Sequence, residues 1–199
     1  MEKSSAEKKE IKIEELKIHA EEKGCPVQKA LCYITEFLDG PMCGRCFPCS
    51  MGSYEAKIRL ERIAGGGGSG EDVRALKRIA GNMLESSFCK KGKDTARFIV
   101  DWMASDVFDV HAGGGCPSME CRALVEYRII PGKCDACGLC MDACRPHAIL
   151  GQKRKPYQSG YPAFEIRQKR CTKCDNCRGV CPTGAIVVVN ANFRESVGV

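Results

Sequence analysis

From Cys134 the chain reads Cys134-Asp135-Ala136-Cys137-Gly138-Leu139-Cys140-Met141-Asp142-Ala143-Cys144. Thirty-seven residues on, the pattern returns as Cys171-Thr172-Lys173-Cys174-Asp175-Asn176-Cys177-Arg178-Gly179-Val180-Cys181, followed by Pro182. Three thiols spaced two residues apart on a tight loop can wrap one corner of a metal cubane. The fourth, three residues further on, begins a short helix and points elsewhere. Zinc ribbons use pairs of cysteines, not a triplet plus one. Around this repeat the chain holds 16 cysteines in 199 residues. No apolar signal segment is evident, since Met1 to Lys23 is a run of Lys, Glu and scattered Ile, so the expected compartment is a reducing cytoplasm. There, C-x2-C runs point to metal and not to cross-links. No stretch has the apolar length of a membrane span. The net charge of +6 is modest, its one dense cluster being Lys153, Arg154 and Lys155, and nothing in it asks for nucleic acid.

Strand-like runs flank both halves of the repeat: Val125 to Ile130, Phe164 to Arg167, and Ala185 to Val189. Residues 125 to 190 resemble bacterial two-cluster ferredoxins. In such ferredoxins the fourth cysteine of each run ligates the other cluster. The resemblance therefore assigns one [4Fe-4S] cluster to Cys134, Cys137, Cys140 and Cys181, and another to Cys144, Cys171, Cys174 and Cys177. One departure stands out, because Cys144 is followed by Arg145-Pro146 instead of directly by Pro. It leaves the ligands intact.

Upstream lies Cys43-Gly44-Arg45-Cys46-Phe47-Pro48-Cys49, with Cys89 forty residues beyond its last cysteine. Between them, Ile58 to Ile63 and Val73 to Leu84 carry apolar residues at three- and four-residue intervals, as buried helix faces do. The two stretches predict a hairpin that brings Cys89 back to close a third cubane with Cys43, Cys46 and Cys49. Val27 to Leu38 predicts another helix, and Asp94 is read as the N-cap of one running through Phe98, Trp102 and Val107. The cysteine motif, the hairpin and the distant cysteine resemble the helical cluster domain of the NADH-oxidising flavoprotein subunit of complex I. They resemble more closely the β or diaphorase subunits of NAD-linked, electron-bifurcating iron hydrogenases, in which a two-cluster ferredoxin follows directly. The likeness covers about residues 25 to 190. It departs at Pro41-Met42 and Ser50, where the family usually has Glu-Ser and Arg.

The expected fold class is therefore α and α+β: a small helical bundle carrying one [4Fe-4S] cluster, then a two-[4Fe-4S] ferredoxin-like domain. The expected division is 1–24 as a charged N-terminal helix or tail, 25–110 as the helical domain, 111–124 as a zinc-binding linker and 125–199 as the ferredoxin domain. The family places its flavin and nicotinamide sites in a Rossmann-like domain upstream, where this sequence has about two dozen polar residues. Gly65 to Gly70 follows no strand and lacks the Lys-Ser/Thr of a phosphate loop, so it reads as an interhelical turn, and no FMN or NAD is expected on this chain. The resemblance implies single-electron transfer inside a hetero-oligomeric oxidoreductase with flavin- or metal-containing subunits, a thioredoxin-like [2Fe-2S] protein being one candidate partner. A freely diffusing polyferredoxin is the alternative. A diaphorase in its own right is disfavoured, for want of a flavin motif or any nucleophile and base set.

Four cysteines are left over. Between the modules the chain reads His111-Ala-Gly-Gly-Gly-Cys116-Pro-Ser-Met-Glu-Cys121, a loop too small to fold by burial alone. Three cysteines and one histidine make a usual closed zinc set, so the loop needs one more thiolate. Cys25, just before Pro26 at a helix start, is preferred to Cys32, which lies within that helix on an apolar face as a small buried hydrophobe. The hydrogenase β subunits that the chain resembles have a comparable loop, which supports zinc at Cys25, His111, Cys116 and Cys121 against reduced, unligated thiols. His19 reads as solvated, His147 as a residue that tunes or merely covers a cluster, and Phe98 and Trp102 as core. The loop from Gly151 to Pro162 reads either as a docking surface or as a solvated insertion.

Overall fold

Apolar residues spaced at helical intervals build the first half of the computed structural model, which describes residues 12–157 and 160–192. Ile11 and the Lys/Glu tract before it lie outside the described residues. The chain divides into two units at Leu124 and Val125. In the first, helix α1 (Ile13–Glu21) buries Ile13, Leu16 and Ala20, three positions on one face. Helix α2 (Pro26–Asp39) opens on a proline, whose fixed φ suits the first helical position, and buries Val27, Ala30, Tyr33, Ile34 and Phe37. Helices α3 (Phe47–Ala64) and α4 (Gly70–Ser86) form the expected hairpin. Gly68 belongs in its turn because a Cβ there would stand 2.6 Å from the Ile63 backbone. The polyglycine is thus packed against the helix it follows.

Ser69 caps α4 with a reciprocal box: its hydroxyl accepts from the Asp72 N–H, and the Ser69 N–H donates to Asp72 at 2.9 Å. The same carboxylate, buried on α4, meets Arg59 at 2.8 Å and Arg62 at 3.2 Å on α3, so one side chain starts one helix and ties it to the other. Its hydrogen bond with Arg59 outweighs burial and holds its pKa below the ordinary range. Asp72→Ala should cost about 1–3 kcal/mol, read as a lower midpoint in anaerobic urea unfolding at neutral pH. A depressed native pKa means that this stabilisation is present above the unfolded carboxylate pKa and is lost as pH falls through the folded one. The gap between wild type and Asp72→Asn should therefore close in acid.

Helix α5 (Lys90–Trp102) starts five residues earlier than expected, with Cys89 and not Asp94 as its N-cap, and ends at Trp102; a separate helix α6 (Val107–Ala112) follows. Asp94 lies inside α5 and faces Arg97 at 3.4 Å. Phe98 and Trp102 stand edge-on to Tyr33 at 5.4 and 5.7 Å, which makes them core. Cys32 is only half-buried, its thiol donating to Glu36 at 3.5 Å, in place of the full burial expected. His19 pairs with Glu36 on the surface at 3.3 Å. Phe108, Cys116, Cys121 and Leu124 join the same apolar cluster as α1 to α4, so residues 111–124 pack with the helices.

The second unit repeats its backbone as it repeats its cysteines. Strand β1 (Val125–Ile129) precedes helix α7 (Leu139–Asp142) and strand β2 (Ile149–Leu150); strand β3 (Glu165–Ile166) precedes helix α8 (Asn176–Gly179) and strand β4 (Ile186–Asn190). β1 pairs antiparallel with β4, Tyr127 opposite Val188, and β2 pairs antiparallel with β3, Ile149 opposite Ile166. Each half therefore lends its outer strands to the other. Left-handed backbone recurs at the same spacing: Ala136 and Lys173, Gly138 and Asp175, His147 and Gly184 are each thirty-seven residues apart, all with positive φ. His147 thus fills an exposed turn position equivalent to a glycine. No helix among the described residues is long and apolar enough to cross a membrane.

Candidate metal centres

Two helices begin at the first cysteine set. Cys46 is the N-cap of α3 and Cys89 the N-cap of α5, so free backbone N–H groups and the positive ends of two helix dipoles face the same four thiols. The Phe88 N–H reaches Cys46 and holds its thiol below the ordinary range. Cys49 is pushed up to about 11, by burial first and then by Cys46, Cys89 and Cys43. The other three cysteines of the set therefore all bear on Cys49. Gly92 makes this approach possible, because a Cβ there would lie 3.2 Å from Cys49 and 2.9 Å from Ser87. The Ser87 hydroxyl is buried with no hydrogen-bond partner among the described residues. A buried orphan donor asks for an acceptor that the protein does not supply, and the sulfur of a cluster fits that need.

In the second unit the thiols gather as two crossed sets. One apolar cavity is lined by Cys134, Cys137, Cys140 and Cys181, with Ile129 and Phe164 among its walls. The other is lined by Cys144, Cys171, Cys174 and Cys177, with Tyr127 and Ile149. Cys140 is raised to about 11 by burial, then by Cys134, Cys137 and Cys181. Cys177 is raised to about 11 by burial and Cys171, with Cys144 and Cys174 adding less. Both crossing cysteines accept a backbone bond at the equivalent position, from Ala148 N–H to Cys144 and from Ala185 N–H to Cys181, each at 3.3 Å. Cys140 and Cys177 thus resist ionisation, and four thiolates together in each set need a cation at their centre.

Cys25, His111, Cys116 and Cys121 are all buried, and their ligand atoms lie within 4.8 Å of one another. His111 Nε2 stands 3.3 Å from both Cys25 and Cys121, Cys25 lies 3.8 Å from Cys121, and Cys116 lies 3.9 Å from Cys25. A tetrahedron with Zn–S bonds of about 2.3 Å has S–S edges of about 3.8 Å. The donor set and its size therefore suit that ion. His111 Nδ1–H donates to the Val107 carbonyl at 2.7 Å, which fixes the tautomer with its Nε2 lone pair toward the sulfurs. Gln28 donates to Cys121 at 3.2 Å, and Glu120 accepts from the N–H groups of Gly24 at 2.8 Å and Cys25 at 2.9 Å. The hydrogen bond from Cys121 holds the Cys25 thiol well below its ordinary pKa, and by the same bond Cys121 is raised. Gln28 and Glu120 carried no signal in sequence that would have set them apart as supports of the site.

Residues 29–105 match the family described as the NADH-ubiquinone oxidoreductase-F iron-sulfur binding region, and residues 133–185 match a 4Fe-4S dicluster domain. The chain is 31% identical over 157 residues to the HndC subunit of the NADP-reducing hydrogenase of Solidesulfovibrio fructosivorans, covering 77% of this chain and 32% of that protein. It is 36% identical over 86 residues to the F subunit of NADH-quinone oxidoreductase from Mycobacterium bovis, covering 42% of this chain and 19% of the relative. To the β subunit of NADP(+)-dependent formate dehydrogenase of Moorella thermoacetica it is 36% identical over 66 residues, or 33% and 9% of the two. This is an iron-sulfur chain related to the F subunits of NADH-quinone oxidoreductase and to NADP-reducing hydrogenase subunits, as its motifs imply. It spans about a third or less of the length of these relatives.

Proposed function

We propose that the chain is an electron-transfer subunit holding three [4Fe-4S] clusters, at Cys43, Cys46, Cys49 and Cys89, at Cys134, Cys137, Cys140 and Cys181, and at Cys144, Cys171, Cys174 and Cys177. One structural zinc sits at Cys25, His111, Cys116 and Cys121. Thiolate-held cubanes change by one electron, with potentials set by hydrogen bonds, burial and charge. The chain's own part is to exclude water with Phe164, Ile129 and Tyr127, to donate backbone N–H groups to sulfur, and to bring helix N-termini against the negative charge. The observation that carries this reading is the separation of the cluster cysteines into three sets that share no residue.

Around the clusters stands a multi-subunit oxidoreductase, flavin-dependent and linked to NAD(P)H or ferredoxin, with electron bifurcation as one mode of its turnover. The nicotinamide-linked names of the relatives support that setting. Its flavin and terminal catalyst lie outside these residues. The decisive measurement is metal content of anaerobically prepared chain: about twelve iron and twelve acid-labile sulfide, from four of each per cubane, with about one zinc. A count near eight iron would remove the helical cluster. Stoichiometric FMN on the isolated chain would turn the reading toward a diaphorase.

A further inference from the structure

Helix α3 carries a second apolar face that the fold leaves in solvent. Phe47, Met51, Tyr54 and Ile58 recur at four, three and four residues and are 74%, 53%, 54% and 51% exposed, while Ala56, Leu60 and Ile63 face the core. The stripe runs about 16 Å along the helix and starts beside Cys46. Phe88, 86% exposed, adjoins the same point, since its N–H bonds to Cys46. Five large apolar side chains in one patch that begins at the cluster's edge are more than scattered exposure.

The rim of this face is basic. In residues 43–58 and 84–94 the charged side chains are Arg45, Lys57, Lys90, Lys91 and Lys93 against Glu55, Glu85 and Asp94; Glu55 is engaged by Arg59, Lys57 by Glu61 and Asp94 by Arg97, which leaves the four cations Arg45, Lys90, Lys91 and Lys93. The four cations are exposed and take no carboxylate partner among the described residues. An apolar centre inside a charged rim is how docking faces are built, and the sign of the rim selects the partner and speeds its approach. We infer that this face docks an acidic redox protein with an apolar centre to its contact surface, bringing electrons to or from the cluster of Cys43, Cys46, Cys49 and Cys89. The inference rests on the electron-transfer reading.

The test uses the full chain with its clusters, and an acidic plant-type [2Fe-2S] ferredoxin as the probe. Calorimetric titration at low and high salt should show saturable binding that weakens with salt. Zero-length carbodiimide cross-links should map to Lys90, Lys91 or Lys93. Phe47→Ser with Phe88→Ser should weaken binding by about tenfold or more, and Lys90→Glu with Lys91→Glu similarly. Lys77→Glu with Arg78→Glu, on the exposed face of α4, should change it by no more than about twofold. Retained paramagnetic resonance of the helical cluster reports that each variant is folded, and the charge pair decides alone if the apolar pair is not. Three results would overturn the docking site: no binding by a cluster-replete wild type, cross-links elsewhere, or equal loss from the control pair. So would a chain dimer that Phe47→Ser abolishes, because the face would then serve self-association. Binding at these lysines by a chain that lacks the helical cluster's signal would instead overturn the three-cluster reading and leave the docking face standing.

Discussion

Cys89→Ala should lower the iron of the purified chain from about twelve to about eight per molecule and leave both ferredoxin signals in place, since each cubane takes four cysteines. The expectation follows from where Cys89 stands. It caps α5, forty residues after Cys49, and the α3 and α4 hairpin folds back to bring it to the other three thiols. Close by, Gly92 packs so tightly that a Cβ there would lie 3.2 Å from Cys49 and 2.9 Å from Ser87. Losing the thiolate also leaves Cys43, Cys46 and Cys49 without a shared cation while two helix N-termini still face them, so the first unit should open more readily to protease. The second unit has its own apolar cluster and its own eight cysteines. Resonance spectra of the reduced protein, taken beside the iron count, check the partition. Disappearance of the ferredoxin signals along with the helical one would show that the sets are not independent.

The ferredoxin half was legible because its signal is arithmetic: a ligand set repeated at a fixed interval predicts a repeated backbone, and the crossed pairing is what the resemblance to two-cluster ferredoxins adds. The left-handed turns were not, since Ala136, Lys173 and His147 are not turn formers; Ala136 and Lys173 each sit between cysteines of one tight loop. In the helical half, the elements were visible and their faces were not. Periodicity placed Ile58 with Leu60 and Ile63 in one buried stretch, yet Ile58 lies on the outer stripe with Phe47 and Tyr54. A period reveals that a face exists and is silent on what covers it. The start of α5 was missed for a related reason. Asp94 has the chemistry of a cap, whereas Cys89 does not; Cys89 and Cys46 nonetheless occupy cap positions, and on the proposed reading a cluster held there would answer the free N–H groups. On α1, Ile18 blurred a stripe that Ile13, Leu16 and Ala20 form without it.

The zinc assignment carries the other large effect. Elemental analysis should find about one zinc per chain, and His111→Ala, Cys121→Ser or Cys25→Ser should each abolish it with iron largely retained. Every ligand of a closed site is needed, because a buried thiolate left without its ion is worse than the neutral side chain that replaced it. Cys32→Ser is the matched control: its thiol donates to Glu36 and belongs to none of the four-ligand sets, so zinc should stay. Glu120→Ala tests the support and not the ligation. Its carboxylate holds the N–H groups of Gly24 and Cys25 and so presents the Cys25 sulfur to His111. Removing it should weaken zinc by about 10–100-fold, the usual range for a group that orients a ligand, measured by competition with a chromogenic chelator. Zinc that survives Cys25→Ser but leaves with Cys32→Ser would exchange the two cysteines. Zinc absent from carefully prepared wild-type protein would mean that the four side chains pack as thiols and imidazole alone, held together by the His111 and Cys121 hydrogen bonds to Cys25.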